Sequence, residues 1–261
     1  MSIHDLAPLA SKLGRLGLEQ DEQSTVLAAV VSTRRCNTGE LLVRQGDAAP
    51  SFIALLTGLA ARFKMGPDGT RQILAFCIPG DLCTLQVGVA GWMDHGLVAI
   101  GRCTFAVIPA RTITALVEAR PKLAIALWRD TVADAAVERE WLYNLGRRSA
   151  VTRLAHLLCE VHHRLESAGL TPATSFDFSV TQTDLADAMG LSTVHVNRSV
   201  QALKRAGLAT FGRGRVTVLD RAELVRVAGF DAAYLGVERR HMAPPPPLNG
   251  RNPPAFSDAR I

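Results

Sequence analysis

The stretch from Thr181 to Arg215, TQTDLADAMGLSTVHVNRSVQALKRAGLATFGRGR, decides the fold of the C-terminal part of the chain. Thr181 and Asp184 have the spacing of a capping box, which predicts that a short helix starts there. Gly190 follows where a left-handed residue would end that helix. Ser192 is a good N-cap for a second helix, because its hydroxyl can accept a backbone hydrogen bond. Two short helices joined by a glycine turn predict a helix-turn-helix.

The second helix has one apolar face and one polar face. Val196, Val200 and Leu203 recur at helical spacing, so they should face inward. The opposite face has short or polar side chains that suit base edges and phosphates in a major groove. From Leu191 to Leu219 there are five Lys or Arg and no Asp or Glu. A face without counter-charges favours binding to a polyanion.

The segment LATFGRGRVTVL, residues 208–219, predicts two short strands around Gly212–Gly214, which is the pattern of a wing. A two-helix pattern with a glycine turn also occurs in ordinary helical cores. The acid-free stretch and the arginines at the wing tip favour DNA binding over that alternative. The residues expected to contact DNA are Thr181, Ser192, Thr193, Val194, Asn197, Arg198, Gln201, Lys204, Arg213 and Arg215.

Composition limits the other possibilities. The chain has 261 residues, 48% of them hydrophobic, which suits one large or two ordinary domains. The net charge of +5 permits an anionic partner but is weak evidence alone. The start of the chain lacks a signal-peptide pattern, and no apolar run is long enough for a membrane span. Five cysteines, odd in number and scattered, do not form a disulfide framework. We therefore expect a cytoplasmic protein without membrane contact.

The N-terminal half changes period along its length. Residues 1–20 are expected to form a loose lead-in with a short helix around 6–18, and residues 21–33 a further helix. From Cys36 to about Pro109, short apolar runs alternate with glycine-containing turns, which predicts an antiparallel roll or sandwich. Within it, the turn Gly66–Gly69 should join two strands of a hairpin.

A long helix follows, with Pro121 in its first turn and an end near Leu145. Its apolar stripe is broken in the middle by Asp130, Thr131 and Asp134. Nothing in the sequence obviously covers the stripe, which suggests a two-stranded dimer interface. The alternative is a helix packed on its own roll. The stripe consists of Leu123, Leu127, Val137, Trp141 and Leu145.

The rest of the C-terminal part is simpler. Arg147–Leu165 predicts another helix, and residues 175–180, SFDFSV, a strand that enters the helix-turn-helix. After Arg240 the tail is proline-rich and is expected to be disordered.

Taken together, these features resemble the Crp/Fnr family of bacterial transcription regulators over roughly residues 20–230. The resemblance rests on the order and spacing of several motifs. They are Gly46-Asp47, Gly58 and Gly80-Asp81 in the roll, Asn144-Leu145 and Thr152–Ala155 after the long helix, and Gly190, Ser192, Val196 and Arg198 in the helix-turn-helix. The resemblance implies a homodimer that binds a two-fold symmetric promoter site and contacts RNA polymerase.

The implied fold is α+β. It comprises an antiparallel β-roll of the cyclic-nucleotide-binding jelly-roll type, a long dimerisation helix and a winged helix-turn-helix. The expected boundaries are 1–20 for the lead-in, 21–118 for the effector-sensing roll, 119–146 for the dimerisation helix, 147–240 for the DNA-binding domain and 241–261 for the tail.

Two parts of the chain depart from the family pattern. In the recognition helix Arg198 matches the family arginine, which implies a bidentate contact to guanine, whereas Val194 replaces a glutamate. In the roll, family members that bind cyclic nucleotides use a Gly-Glu-Leu turn and an Arg-Ser or Arg-Thr pair. The corresponding places here lack both the cation and the carboxylate, so cyclic AMP is not the expected effector. This candidate effector pocket consists of Thr84, Leu85, Gln86, Met93, Asp94 and His95.

That pocket leaves alternatives open. Asp94-His95 is either a ligand or protonation contact or a solvated loop pair. Arg102 is a possible displaced substitute for the missing cation, although it lies near a strand start.

Cysteine and histidine patterns allow weaker alternatives. No cysteine precedes Cys36, which argues against an iron–sulfur cluster. Cys77, Cys83 and Cys103 fit small buried hydrophobes, or a thiol redox sensor if one is exposed with a lowered pKa. His156, Cys159 and His163 share one helix face, yet their spacing matches no closed zinc motif.

No catalytic pattern is present, so we expect no enzyme, no metal and no cofactor. The sequence therefore predicts a DNA-binding regulator with an unknown small-molecule or redox effector. Two alternatives remain: a ligand or redox sensor that acts through protein contacts, and an effector-free regulator controlled by abundance.

Overall fold

The computed structural model describes residues 3–172 and 174–236, which form an α+β fold and confirm the predicted class. The helices are α1 (Ala7–Arg15), α2 (Gln20–Ala28), α3 (Val87–Ala90), α4 (Ala110–Ala119), α5 (Pro121–Arg147), α6 (Ala150–Ser167), α7 (Gln182–Met189), α8 (Thr193–Arg205) and α9 (Arg221–Ala228). The strands are β1 (Ser32–Cys36), β2 (Leu41–Val43), β3 (Ser51–Thr57), β4 (Ala60–Met65), β5 (Arg71–Cys77), β6 (Gly96–Ala99), β7 (Cys103–Pro109), β8 (Ser175–Asp177), β9 (Ala209–Gly212) and β10 (Arg215–Val218). Short 3-10 helices cover Ile3–Leu6 and Ala232–Leu235.

The β-roll is made of two antiparallel sheets. Their strand orders are β1-β7-β3 and β2-β6-β4-β5. The hairpin between β4 and β5 turns at Gly66–Gly69, as predicted, and Gly69 takes a φ of 80°. A tighter turn at Gly58 requires glycine, because its φ is 88° and a Cβ there would lie 2.2 Å from the Arg102 carbonyl oxygen.

The N-terminal lead-in is not loose, contrary to the prediction. Leu9 and Leu13 of α1 are at most 1% exposed. They share a core with the buried side of β3 and with the start of α5. The segment is therefore an integral part of the sensing half, because its leucines cover the outer face of one sheet.

The prediction that residues 21–33 form one helix was also wrong. Helix α2 ends at Ala28, and Ser32–Cys36 forms β1 on the edge of the first sheet. Its first four side chains are exposed, so the strand lacks the buried alternation that would have signalled it in the sequence.

The long helix α5 begins at Pro121, as predicted, but the predicted apolar stripe does not face outward. Leu123, Val137 and Trp141 are buried against the chain's own cores. Leu127 and Leu145 are partly buried. The alternative of a helix packed on its own roll therefore holds for this stripe. Asp130, which seemed to interrupt it, is 1% exposed and lies 2.5 Å from Lys12 of α1.

A different side of α5 faces outward. Ile125, Trp128, Val132 and Leu142 are between 47% and 72% exposed. Two stripes thus share this helix, one packed within the chain and one without a covering element among the described residues.

Helix α5 is separate from α6, although the sequence suggested a helix from Arg147. Arg148 is extended, and Ser149 caps α6 by accepting a hydrogen bond from the Thr152 backbone. Strand β8 is three residues long, shorter than the predicted 175–180. The tail 241–261 lies outside the described residues. Within the described part of the chain, no helix is long and apolar enough to cross a membrane.

Candidate nucleic-acid interface

The two helices of the helix-turn-helix are fixed by local caps, as the sequence indicated. The Thr181 hydroxyl accepts from the Asp184 backbone N–H at 3.0 Å, and the Asp184 carboxylate accepts from the Thr181 N–H at 2.9 Å. Gly190 ends α7 with a φ of 60°. Ser192 caps α8 by accepting from the backbone of His195. These caps set the entry angle of α8 without any long-range contact.

Packing then determines which face of α8 looks outward. Val196 and Leu203 are fully buried, and Leu185 and Ala186 of α7 meet them in the same core. The opposite side of α8 is solvent-exposed and contains no carboxylate. Its exposed residues are Thr193, Val194, His195, Asn197, Arg198, Gln201, Lys204 and Arg205.

His195 was missed by the sequence argument. It lies on the exposed face, and its Nδ1 is 2.9 Å from the Ser192 hydroxyl. The signal was available, because position 195 falls between two predicted contact residues on the same turn.

The wing forms as predicted, from β9 and β10 with β8 beside β10. Arg213 at its tip has a φ of 51°, which is uncommon for a side chain larger than glycine. Arg215 is exposed but is not free, because its guanidinium lies 2.8 Å from Asp177 of β8. A phosphate contact by Arg215 would therefore compete with this ion pair.

One arginine below the recognition unit ties the domain to the long helix. Arg153 of α6 donates to the carbonyl oxygens of Asn144 at 3.1 Å and Leu145 at 2.9 Å. It also donates to the carbonyl of Arg148 and to that of Met189, at the end of α7. Carbonyls at helix C-termini are negative, so a cation placed there is stabilising.

A second arginine links the sensing half to the helix-turn-helix. Arg71 of β5 lies 2.6 Å from Asp184 and 2.7 Å from Asp187, both on α7. Its position in the middle of a predicted hairpin gave no sequence signal, since its partners are more than a hundred residues away.

The candidate effector residues are not brought together into one open pocket. Thr84 and Met93 are fully buried. The Thr84 hydroxyl accepts from the Ile53 N–H at 2.8 Å, which is a structural role. Leu85 and Gln86 are half-buried and Asp94 is exposed.

Asp94 and His95 form a contact with each other. His95 Nδ1 lies 2.7 Å from Asp94 Oδ1, and Gln86 Nε2 lies 3.3 Å from the same ring nitrogen. Burial, with Arg62 nearby, lowers the pKa of His95 although Asp94 opposes this. The imidazole is therefore neutral at pH 7.

A cation does lie inside the roll, at Arg62. Its guanidinium lies 2.7 Å from Asp134 of α5 and donates to the Leu82 carbonyl at 2.9 Å. Arg164 of α6 lies 2.6 Å from Asp81. These ion pairs connect the roll to both long helices.

A small cavity and a larger cleft adjoin these ion pairs. The cavity, of about 10 Å³, is lined by residues that include Arg62, Cys77, Asp134 and Arg164. The open cleft, of about 840 Å³, lies between α1, α5, α6 and the last 3-10 helix.

The remaining sequence alternatives fall in the interior. All five cysteines are buried and unpaired. His156 is fully buried, and its Nδ1 is 3.0 Å from Asn144 Nδ2. Burial lowers the pKa of His156 to about 3. No group of His, Cys, Asp or Glu suited to a metal ion occurs among residues 3–172 and 174–236.

A buried carboxylate next to His156's helix turn was not foreseen. Glu160 accepts from Trp141 Nε1 at 3.0 Å and from the Tyr234 hydroxyl at 2.7 Å. It therefore joins α5, α6 and the last 3-10 helix.

Comparison with known proteins agrees with this architecture. Residues 33–120 match the sequence model of the cyclic nucleotide-binding domain, and residues 152–227 match that of the Crp-like helix-turn-helix domain. The nitrogen fixation regulation protein FixK of Bradyrhizobium diazoefficiens is 29% identical over 74% of this chain and 80% of its own length. The transcriptional activator protein FnrL of Cereibacter sphaeroides is 26% identical over 89% of this chain and 98% of its own length.

Solved structures show the same fold. FixK2 from Bradyrhizobium japonicum superposes with a TM-score of 0.69 at 23% identity, over 75% of this chain and 96% of that one. The regulator CLP of Xanthomonas campestris, described as responsive to c-di-GMP, has a TM-score of 0.62 at 17% identity, over 77% of this chain and 100% of that one. With both domains matched in this order, the chain belongs to the Crp/Fnr family of DNA-binding transcription regulators.

Proposed function

We propose that this chain regulates transcription by binding a two-fold symmetric promoter site as a homodimer, with one α8 in each of two major grooves. The observation that carries the proposal is the outer face of α8, which is exposed, polar and free of carboxylates. Two such helices must present to DNA about one helical turn apart, roughly 34 Å. The family membership supports the same arrangement.

Each exposed residue has a role that its chemistry favours. Arg198 suits a bidentate contact to guanine, Asn197 suits a polar base edge, and Val194 suits a thymine methyl group. Thr193 lies on the same exposed turn. The residues assigned to phosphates are Ser192, Gln201, Lys204 and Arg213, with His195 added; Thr181 and Arg215 are assigned there with the reservation that each already has a protein partner.

The dimer is assigned to the outward stripe of α5. Ile125, Trp128, Val132 and Leu142 fall at the alternating three- and four-residue spacing of a coiled-coil seam, which Ala135 and Arg139 complete. Trp128 is 70% exposed, an unusual cost for so large an aromatic side chain unless a partner covers it. A second copy of α5 would bury it.

An effector would act through contacts between the roll and the DNA-binding half. Arg71 and Arg164 bridge these parts, so a ligand that changes the roll can shift the population of the arrangement that fits DNA. We propose an effector other than cyclic AMP, because Asp94 stands where a cation should meet the phosphate. Contact with RNA polymerase and action in the cytoplasm follow as family-based parts of the proposal.

The test combines DNA selection with measurement of assembly. Purified protein should enrich an inverted repeat from a random pool and sediment as a dimer. Val132→Glu should yield monomers and lose the repeat, whereas Val31→Glu, the same change at another exposed valine, should leave both unchanged.

Enrichment without symmetry, or dimers that survive Val132→Glu, would contradict the proposed assembly. No enrichment under any condition, together with no effect of neutralising Arg198, would favour a sensor that acts through protein contacts.

A further inference from the structure

The core of the sensing roll contains four of the five cysteines. Cys36, Cys77, Cys83 and Cys103 belong to one buried cluster, and all are free thiols. They form two neighbouring pairs. Cys36 lies opposite Cys103 in the β1–β7 register, and Cys77 and Cys83 are hydrogen-bonded to each other.

The loop between Cys77 and Cys83 brings the second pair together. Cys77 ends β5, and the chain then turns back along β3, where the Cys83 N–H donates to the Ile53 carbonyl at 2.8 Å. Asp81 holds the turn by accepting from the Ile78 N–H at 2.8 Å. Two thiols six residues apart are thus fixed in contact by backbone hydrogen bonds.

The two thiols have opposite proton affinities. The hydrogen bond from Cys83, together with the Arg62 cation, lowers the pKa of Cys77 against the effect of burial. The contact with Cys77, together with burial, raises the pKa of Cys83. One sulfur is therefore the better nucleophile and the other remains protonated, which is the division of roles in a reactive dithiol.

The control pair lacks these properties. Burial raises the pKa of both Cys36 and Cys103. Neither residue lines the small cavity.

Cys77 is accessible only to a small reagent. It lines the cavity of about 10 Å³, which has room for one water-sized molecule. That cavity shares Asp81, Asp134, Val137 and Arg164 with the open cleft of about 840 Å³. Hydrogen peroxide fits such a route, whereas a disulfide such as oxidised glutathione does not.

We propose that Cys77 and Cys83 are a peroxide-responsive dithiol in the sensing roll. The Cys77 thiolate attacks one peroxide oxygen, the O–O bond breaks, and the departing hydroxide takes a proton to become water. Cys77 is then a sulfenic acid. The Cys83 sulfur attacks it, the S–O bond breaks, and the leaving hydroxide departs as a second water with the Cys83 proton. Two thiols are oxidised to a disulfide while one peroxide is reduced to two waters.

The effect on DNA binding rests on the proposed function. The loop closed by the disulfide carries Asp81, which lies 2.6 Å from Arg164 of α6, and Leu82, whose carbonyl accepts from Arg62. Strain in this loop would disturb the contacts that join the roll to the DNA-binding half.

Peptide mapping of the full chain tests the chemistry. No Lys or Arg lies between Arg71 and Arg102, so trypsin leaves both cysteines in one peptide. After peroxide and alkylation, that peptide should lack two hydrogens and carry no alkyl group. It should reach this state about 10-fold faster than Cys159 loses its label or Cys36 becomes linked to Cys103. Oxidised glutathione at equal concentration should react far more slowly.

Variants separate the two steps. Cys83→Ala should stop at a Cys77 sulfenic acid that dimedone traps, and Cys103→Ala should still form the disulfide. Full alkylation of Cys77 and Cys83 in folded, peroxide-treated protein would overturn the proposal. So would earlier formation of the Cys36–Cys103 link.

The DNA readout is measured on the same samples. Oxidised wild type should bind its selected site at least about 5-fold more weakly, with Cys83→Ala unaffected. A disulfide without any change in affinity would overturn the regulatory role. Failure of the reduced protein to bind DNA would count against the proposed function alone, because peptide mapping is independent of DNA.

Discussion

Arg153 offers a direct test of how the DNA-binding half is held to the long helix. Its guanidinium donates to four carbonyls, three at the end of α5 and one at the end of α7. A hydrogen bond to a charged group contributes about 1.5–3 kcal/mol. Four such bonds on one guanidinium are not additive, and burial, which lowers the pKa of Arg153, shows that desolvation offsets part of the gain.

We therefore expect Arg153→Met to lower the free energy of unfolding by about 3 kcal/mol, with the apolar stem retained. For a chain of this size, that corresponds to a fall in Tm of about 6–12 °C. Urea unfolding followed by circular dichroism, at fixed protein concentration, measures it.

The matched control is Arg221→Met in the same domain. Arg221 pairs with Glu166 at 2.7 Å, but its side chain is 48% exposed, so its loss should cost less than about 1 kcal/mol. An Arg153→Met variant no less stable than this control would refute the reasoning.

Three further outcomes follow from the structure. His156 has a folded-state pKa of about 3, below its unfolded value, so only the unfolded chain binds a proton as pH falls from about 6.5 towards 3. Wild type should therefore lose up to about 1.4 kcal/mol of stability per pH unit over that range, and unfolding of His156→Gln should lack this component; parallel pH profiles would contradict it. Gly58→Ala should cost more than about 3 kcal/mol, because its Cβ would meet the Arg102 carbonyl, whereas Gly46→Ala, at the same φ but with open space, should cost about 1–2. Equal losses in thermal unfolding would show that the clash is relieved. Tyr234→Phe should cost about 1–3 kcal/mol by removing one donor from the buried Glu160 carboxylate, and a neutral effect would mean that this contact does not hold the C-terminal 3-10 helix.

The features that the sequence predicted correctly depend on residues close together in the chain. The caps at Thr181 and Ser192 use partners three residues away, and Gly190 needs only its own backbone freedom. The exposed face of α8 follows from helical periodicity once Val196 and Leu203 are placed inward.

The features that the sequence missed depend on distant partners. Helix α5 has two apolar stripes, and periodicity alone does not say which one the chain itself covers. The answer depends on Lys12, which accompanies Asp130 into the interior, and on the leucines of α1. Arg71 and Arg215 likewise acquire their roles from Asp184 and Asp177, which no local pattern connects to them.

The candidate effector residues show the same limit. Thr84 and Met93 were placed by alignment through a loop, and their burial depends on how that loop packs under β3. The reactive pair of thiols was equally invisible, because the hydrogen bond between Cys77 and Cys83 follows from the return of the chain after Gly80.

The most direct test of DNA reading is the affinity of Arg198→Ala for the selected repeat and for single-base variants of it, measured across a range of salt. The account predicts a loss of about 1–3 kcal/mol and relaxed preference at one base pair in each half-site. Arg221→Ala, which removes one positive charge from the same domain, should keep both affinity and preference. Unchanged affinity and preference in Arg198→Ala would contradict the claim that α8 reads DNA.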